Sequence, residues 1–262
     1  MKKEIYCILS VCLFLAVSCR EKPVIDKRIP LSVQFIHRVD GVPIVLDTKH
    51  YSNEAGNKYI VNEIKYFISE LHFYKNDKTK IAVRQNKGIH YVDTDYPNTL
   101  FWTISENIPE GHYDSIGFTF GLNAADNYSY RFVNPPESNM SWPQLLGGGY
   151  HYMMINGKFL KDDSTYSPLN IHLGRGQIYR GSTQSIDSLI GFVDNHFSVV
   201  LKKSFRIRKG HATDLTFVMN MENWFKNPFI YDFNYWGSHI MQNQPAMQML
   251  KENGRNVFSA EE

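Results

Sequence analysis

From Leu31 onward, apolar and polar residues alternate in short runs separated by turn chemistry, a pattern that predicts strands. Val33, Phe35, His37 and Val39 fall on one side of a period-two segment ending at Asp40-Gly41, a pair suited to a tight reversal. Residues 64–74 (IKYFISELHFY) are apolar and aromatic on both faces, as expected of a central strand. Further strands are expected at 115–122, 196–201, 205–208 and 215–219, with the turn residues of 208–214 making the last two a hairpin. Near the C-terminus the period lengthens. Ile240, Met241, Met247 and Leu250 give a helical stripe, with Ser238 as its expected cap, Pro245 near the start of its regular part and Gly254 just beyond its last turn. A shorter helix is expected at Met221–Phe225. With 17 Phe and 16 Tyr, no repeat and no splitting linker, residues 30–262 are expected to form one all-β domain. Its expected architecture is an antiparallel, immunoglobulin-like β-sandwich with long loops and a short C-terminal helix.

The first thirty residues read differently. Met1-Lys2-Lys3-Glu4 is followed by an apolar run from Ile5 to Val17 and then Ser18-Cys19. Basic flank, short hydrophobic run and small residue before the cut are the parts of an export signal, and a run of ~18 or more apolar residues would be needed to span a bilayer. Leu15-Ala16-Val17-Ser18-Cys19 resembles a bacterial lipobox, so residues 1–18 are expected to be removed and Cys19 lipidated, with 19–29 a tether. The expected product is exported and lipid-anchored to a membrane, the outer membrane in this reading, facing periplasm or cell surface. The three cysteines are Cys7, Cys12 and Cys19, so the body has no thiolate. Any metal site there must use imidazole, carboxylate, thioether or backbone oxygen. Net charge is +2 with scattered basic residues, which gives no footprint for nucleic acid.

Three segments carry unusual chemistry. Residues 134–146 (NPPESNMSWPQLL) run into Gly147-Gly148-Gly149-Tyr150-His151, followed by Met153 and Met154. This is too long for a simple turn, and consecutive glycines admit positive φ or close backbone approach. In residues 167–174 (SPLNIHLG), Leu169, Ile171 and Leu173 share one face, leaving Asn170 and His172 on the other. The third segment, 220–228, holds Glu222 and Trp224 and runs on to Asp232. If the second segment pairs back onto the first, the His151 and His172 imidazoles converge, which makes them the principal candidates for metal ligation. His37, on the apolar phase of its strand, and His239, three positions after Trp236, are the third and fourth. Met153 and Met154 read as sheet packing. No G-x-S-x-G elbow or H-E-x-x-H helix is present, so a non-catalytic protein is expected. The alternative is a carbohydrate-binding or transporter-accessory surface protein, with Trp142, Trp224 and Trp236 as a stacking platform.

The same residues carry a family resemblance. VQFIHRVDGVPIVLD, NKYIVNEIKYFISELHFY, HYVDTD, GHYDSIGFTFGLN, NMSWPQLLGGGYHYMMINGKF, NIHLG, MNMENWFKNP and NGRNVF together resemble MbnP-like proteins over nearly the whole body. The block from Met140 to Tyr150 and the HLG at His172 are the most specific pieces. The resemblance implies a periplasmic or cell-surface copper-binding protein serving metal uptake or homeostasis, of the standalone lipoprotein branch. It also implies imidazole ligands, a Trp oxidised to kynurenine as in the better-described branch, and a partner such as a diheme peroxidase-like protein or a TonB-dependent transporter; Trp142, Trp224 and Trp236 read first as aromatics that pin their loops and second as candidates for that modification. The better-described branch carries paired cysteines, which this body lacks, and a His soon after the segment matching Gly121-Leu122-Asn123, where this chain has none before His151.

Overall fold

The structure is a computed structural model that describes residues 31–182 and 184–261. The expected signal, Cys19 and tether lie outside the described residues. In chain order the strands are β1 (Leu31–Val39), β2 (Val42–Pro43), β3 (Tyr51–Ser52), β4 (Lys58–Lys75), β5 (Lys80–Ala82), β6 (His90–Asp93), β7 (Phe101–Ile104) and β8 (Gly111–Phe120). They continue with β9 (Met153–Leu160), β10 (Tyr166–Leu173), β11 (Gly176–Tyr179), β12 (Leu189–Val193), β13 (Phe197–Ile207) and β14 (Thr213–Asn220). Two helices, α1 (Phe233–Trp236) and α2 (Gln244–Gly254), precede the last strand, β15 (Phe258–Glu261).

Two sheets face each other. The larger runs β10-β9-β4-β8-β13, with β3, β5 and β6 also paired to β4; the smaller runs β15-β14-β1-β2, with β7 paired to β1. The chain is thus an all-β sandwich with a short C-terminal helix. One pairing is parallel: β1 lies against β14 from Leu31↔Thr213 to Arg38↔Asn220, so the smaller sheet is mixed. Alternation along β1 buries Leu31, Val33, Phe35, His37 and Val39, as its pattern predicts. The 18-residue β4 is apolar on both faces because it lies inside the larger sheet, paired to β9 along its first half and β8 along its second. Aromatic rings interlock between the layers: Phe35 on β1 meets Tyr66 on β4 at 6.4 Å edge-on, and Phe217 on β14 stacks on Phe118 of β8 at 5.7 Å.

Several local expectations are corrected. β13 and β14 do not form a hairpin: β13 pairs with β8 in the larger sheet and β14 with β1 and β15 in the smaller. Residues 208–214 cross from one layer to the other, because both strands have an apolar face that seals the same core. The C-terminal helix is capped not by Ser238 but by Asn243, whose side chain accepts from the Ala246 amide, with Pro245 in the first turn where its missing N–H is harmless. Gly254 ends the helix rather than following it, and is glycine because a Cβ there would lie 2.2 Å from the Phe197 ring. Met221–Phe225 is a 3-10 turn.

Candidate metal centre

β9 and β10 form the hairpin that brings the two histidine segments together, with Asn156 opposite Asn170 and Met154 opposite His172. Leu169, Ile171 and Leu173 point into the core, and Asn170 and His172 to the other face of the sheet. The loop ahead of β9 folds back over that face. Gly147, Gly148 and Gly149 all take positive φ, and a Cβ on Gly149 would sit 2.4 Å from the Asn127 side chain. Their turn lets Trp142 N donate to Gly149 O at 2.8 Å and His151 N to Met140 O at 2.7 Å, which fixes His151 just before β9 begins.

The His151 and His172 rings lie 5.1 Å apart, nearly perpendicular at 88°. Each is pinned through one nitrogen. His151 Nδ1 is 2.9 Å from the Met140 carbonyl, which can only accept, so Nδ1 carries the proton and Nε2 the lone pair. That Nε2 is buried with no hydrogen-bond partner. His172 Nε2 is 2.7 Å from Asn156 Oδ1, which leaves its Nδ1 as the bare nitrogen. Burial pushes His151 down to about 4 and, aided by the neighbouring His151 and His239, His172 down to about 3. Both rings are neutral at physiological pH, so protons do not compete for their lone pairs. Trp142 walls the pair, its ring edge-on to His151 at 4.7 Å and its Nε1 donating to Leu146 O at 3.0 Å.

Of the other two histidines, His239 lies beside the pair and His37 stands apart from it. His239 is exposed, and its Nδ1 is occupied by Asn170 Nδ2 at 3.1 Å. It borders a cleft of about 560 Å³ with Pro143, Leu146, Met241 and Asn243. His37 projects from β1 onto Tyr66, rings 5.8 Å apart, makes no ring contact with the other three, and is pushed by burial down to about 4. Of the four expected histidines only His151 and His172 are in ring contact: β1 belongs to the opposite sheet, and His239, a neighbour of His172, is turned toward Asn170. Among the described residues, no group of three or more His, Cys, Asp or Glu side chains is placed to hold one metal ion. Two neutral imidazoles fit a soft ion satisfied by few ligands, such as cuprous copper, and do not fit structural zinc, which takes four.

Sequence reading missed the partners of the two rings. Asn156 and Glu63 are neighbours across β9 and β4, and the Met140 carbonyl comes from the loop. Asn156 shares the outward face of the hairpin with His172, which was the available signal. Burial raises the Glu63 carboxyl, but hydrogen bonds from Lys65 and Asn156 outweigh it and hold the group below the ordinary carboxylate range. The stacking platform is corrected: Trp142 is 2% and Trp224 0% exposed, and Trp236 is half-buried against Tyr231, so the three present no common face to a sugar. Asp232 caps α1 through the Asn234 amide, and Met153 packs in the core as read.

Comparison with known proteins bears on the family. No protein of curated function matches the sequence. Among solved structures, MbnP from Methylosinus trichosporium is similar at 16% identity and a TM-score of 0.46, covering 77% of this chain and 79% of its own. The family model for MbnP matches residues 28–242, a span that contains β1 to β14 and all four candidate histidines. On that match, which takes in most of the sequence, the chain belongs to the MbnP family.

Proposed function

We propose that the protein is a non-catalytic copper-binding lipoprotein that holds cuprous ion through His151 Nε2 and His172 Nδ1. The observation that carries this reading is the buried His151 Nε2, a lone pair with no partner in a neutral ring 5.1 Å from a second neutral ring. A buried acceptor left unmade costs ~1–3 kcal/mol, which an ion would recover. Bound copper supplies a Lewis-acidic, redox-active centre. The residues of this chain orient the two rings, keep them unprotonated and exclude water on the Trp142 side. Export, lipidation at Cys19 and an outer-membrane position would put the site where metal is captured for uptake or homeostasis. A diheme peroxidase-like protein or a TonB-dependent transporter is the proposed partner.

The test is Cu(I) titration of the mature protein against a chromophoric chelator. One equivalent should bind, His151→Ala and His172→Ala should each abolish it, and His37→Leu and His239→Ala should leave most of it. Failure of the unaltered protein to retain Cu(I) at micromolar concentration, or full retention by the His151→Ala/His172→Ala double variant, would end the metal reading.

A further inference from the structure

We propose that Asn156, oriented by Glu63, is the positioning residue that makes His172 a ligand through Nδ1. This rests on the reading of His151 and His172 as a metal-binding pair. An amide side chain looks alike from either end, so its direction must come from its neighbours. Asn156 has two neighbours with opposite demands. Its Nδ2 donates to Glu63 Oε1 in a short hydrogen bond, and its Oδ1 lies 2.7 Å from His172 Nε2. A carboxylate only accepts, so the NH2 end must face Glu63 and the oxygen end must face His172. That oxygen also only accepts, so His172 Nε2 must carry the proton. A neutral imidazole has one such proton, and Nδ1 is left with the lone pair.

The sheet register builds this chain. Glu63 on β4 stands opposite Asn156 on β9, Asn156 stands opposite Asn170 on β10, and His172 is the next residue of β10 on the same face. Lys65, its Nζ 2.5 Å from Glu63 Oε2, keeps the carboxylate in place. A backbone carbonyl does for His151 what Asn156 does for His172. Outer partners of this kind fix ring direction and proton position, and their loss weakens metal binding ~10–100-fold.

The test reads the proton position without metal. In 15N-histidine-labelled mature protein free of copper, the nitrogen shifts of His172 should report one tautomer with the proton on Nε2. Asn156→Ala removes the acceptor, and Glu63→Gln releases the amide to turn over. Each should mix the tautomers and weaken Cu(I) binding ~10–100-fold, with unchanged circular dichroism. The exchanged pair Glu63→Gln/Asn156→Asp places a carboxylate at position 156 that accepts both from the new amide at position 63 and from His172. It should bring back the single tautomer and most of the affinity. A proton on Nδ1 in the unaltered protein overturns the proposal, as do single variants that keep both tautomer and affinity, or an exchange that rescues neither. If the unaltered protein shows the Nε2 tautomer but binds no Cu(I), the pair reading has failed and the ligand role of His172 falls with it.

Discussion

Replacing His37 by Leu should make the fold less sensitive to acid. The imidazole is 7% exposed, its Nε2 has no partner, and burial holds it near 4 against 6.5 for a free histidine. Between those values the unfolded chain binds a proton that the folded chain refuses. Stability from this group is therefore complete above pH 6.5, falls as the pH drops from 6.5, and is lost by about pH 4. At ~1.4 kcal/mol per pH unit, the whole loss is about 3 kcal/mol. From pH 7.5 to 5.5 the share is about 1.4 kcal/mol, a figure that barely depends on how far below 5 the folded value lies. Urea unfolding at the two pH values, on the protein and on His37→Leu, measures it. The unaltered protein should lose about 1.4 kcal/mol more than the variant over that interval, because His90, His151 and His172 contribute equally to both. At pH 7.5 the variant should be no less stable, since leucine removes an unsatisfied nitrogen from an apolar site. Equal losses in the two proteins would mean that His37 is protonated or hydrated inside the fold, and the reasoning from burial would be wrong.

Gly254→Ala should lower the thermal midpoint despite a helix-propensity gain of ~1 kcal/mol, because the new methyl meets the Phe197 ring, itself held by Phe120 and Trp224. Overpacking of this kind costs ~1–3 kcal/mol, and a raised midpoint would show that the ring yields. Asn253→Ala should destabilise by about 3 kcal/mol in denaturant, since this fully buried amide donates to the Trp224 and Phe229 carbonyls and accepts from Phe229 N. A loss below about 1 kcal/mol would indicate that water takes over those bonds.

The outward face of β10 shows how far the linear pattern reached into the site. Alternation of Leu169, Ile171 and Leu173 placed His172 and Asn170 together, and a return of that segment onto the glycine-rich block was enough to bring His172 to His151. His37 shows where it stopped. Its place on the apolar phase of β1 correctly marked a buried, uncomfortable imidazole, but periodicity says which way a side chain points from its own strand and nothing about which sheet that strand joins. Trp142 and Trp224 mark the same limit: they read first as aromatics that pin their loops, and only packing shows that both are enclosed, with no shared face for the stacking alternative.

What the sequence determined by itself is local and periodic. Strand phase, the central character of β4, the helix near the C-terminus, the absence of thiolates from the body and the family signature are all properties of neighbouring residues or of composition. Tertiary structure decided everything that needed a partner distant in the chain: the parallel pairing of β1 with β14, the crossing of 208–214 between layers, and the meeting of the His151 and His172 rings. It also decided which nitrogen of each ring is bare. That depends on the Met140 carbonyl in one case and on Glu63, 93 residues before Asn156, in the other. The physical reason is common to all of these. A hydrogen bond or a sheet pairing is set by proximity in space, and the pattern along a chain records only what each residue requires, not which other residue supplies it.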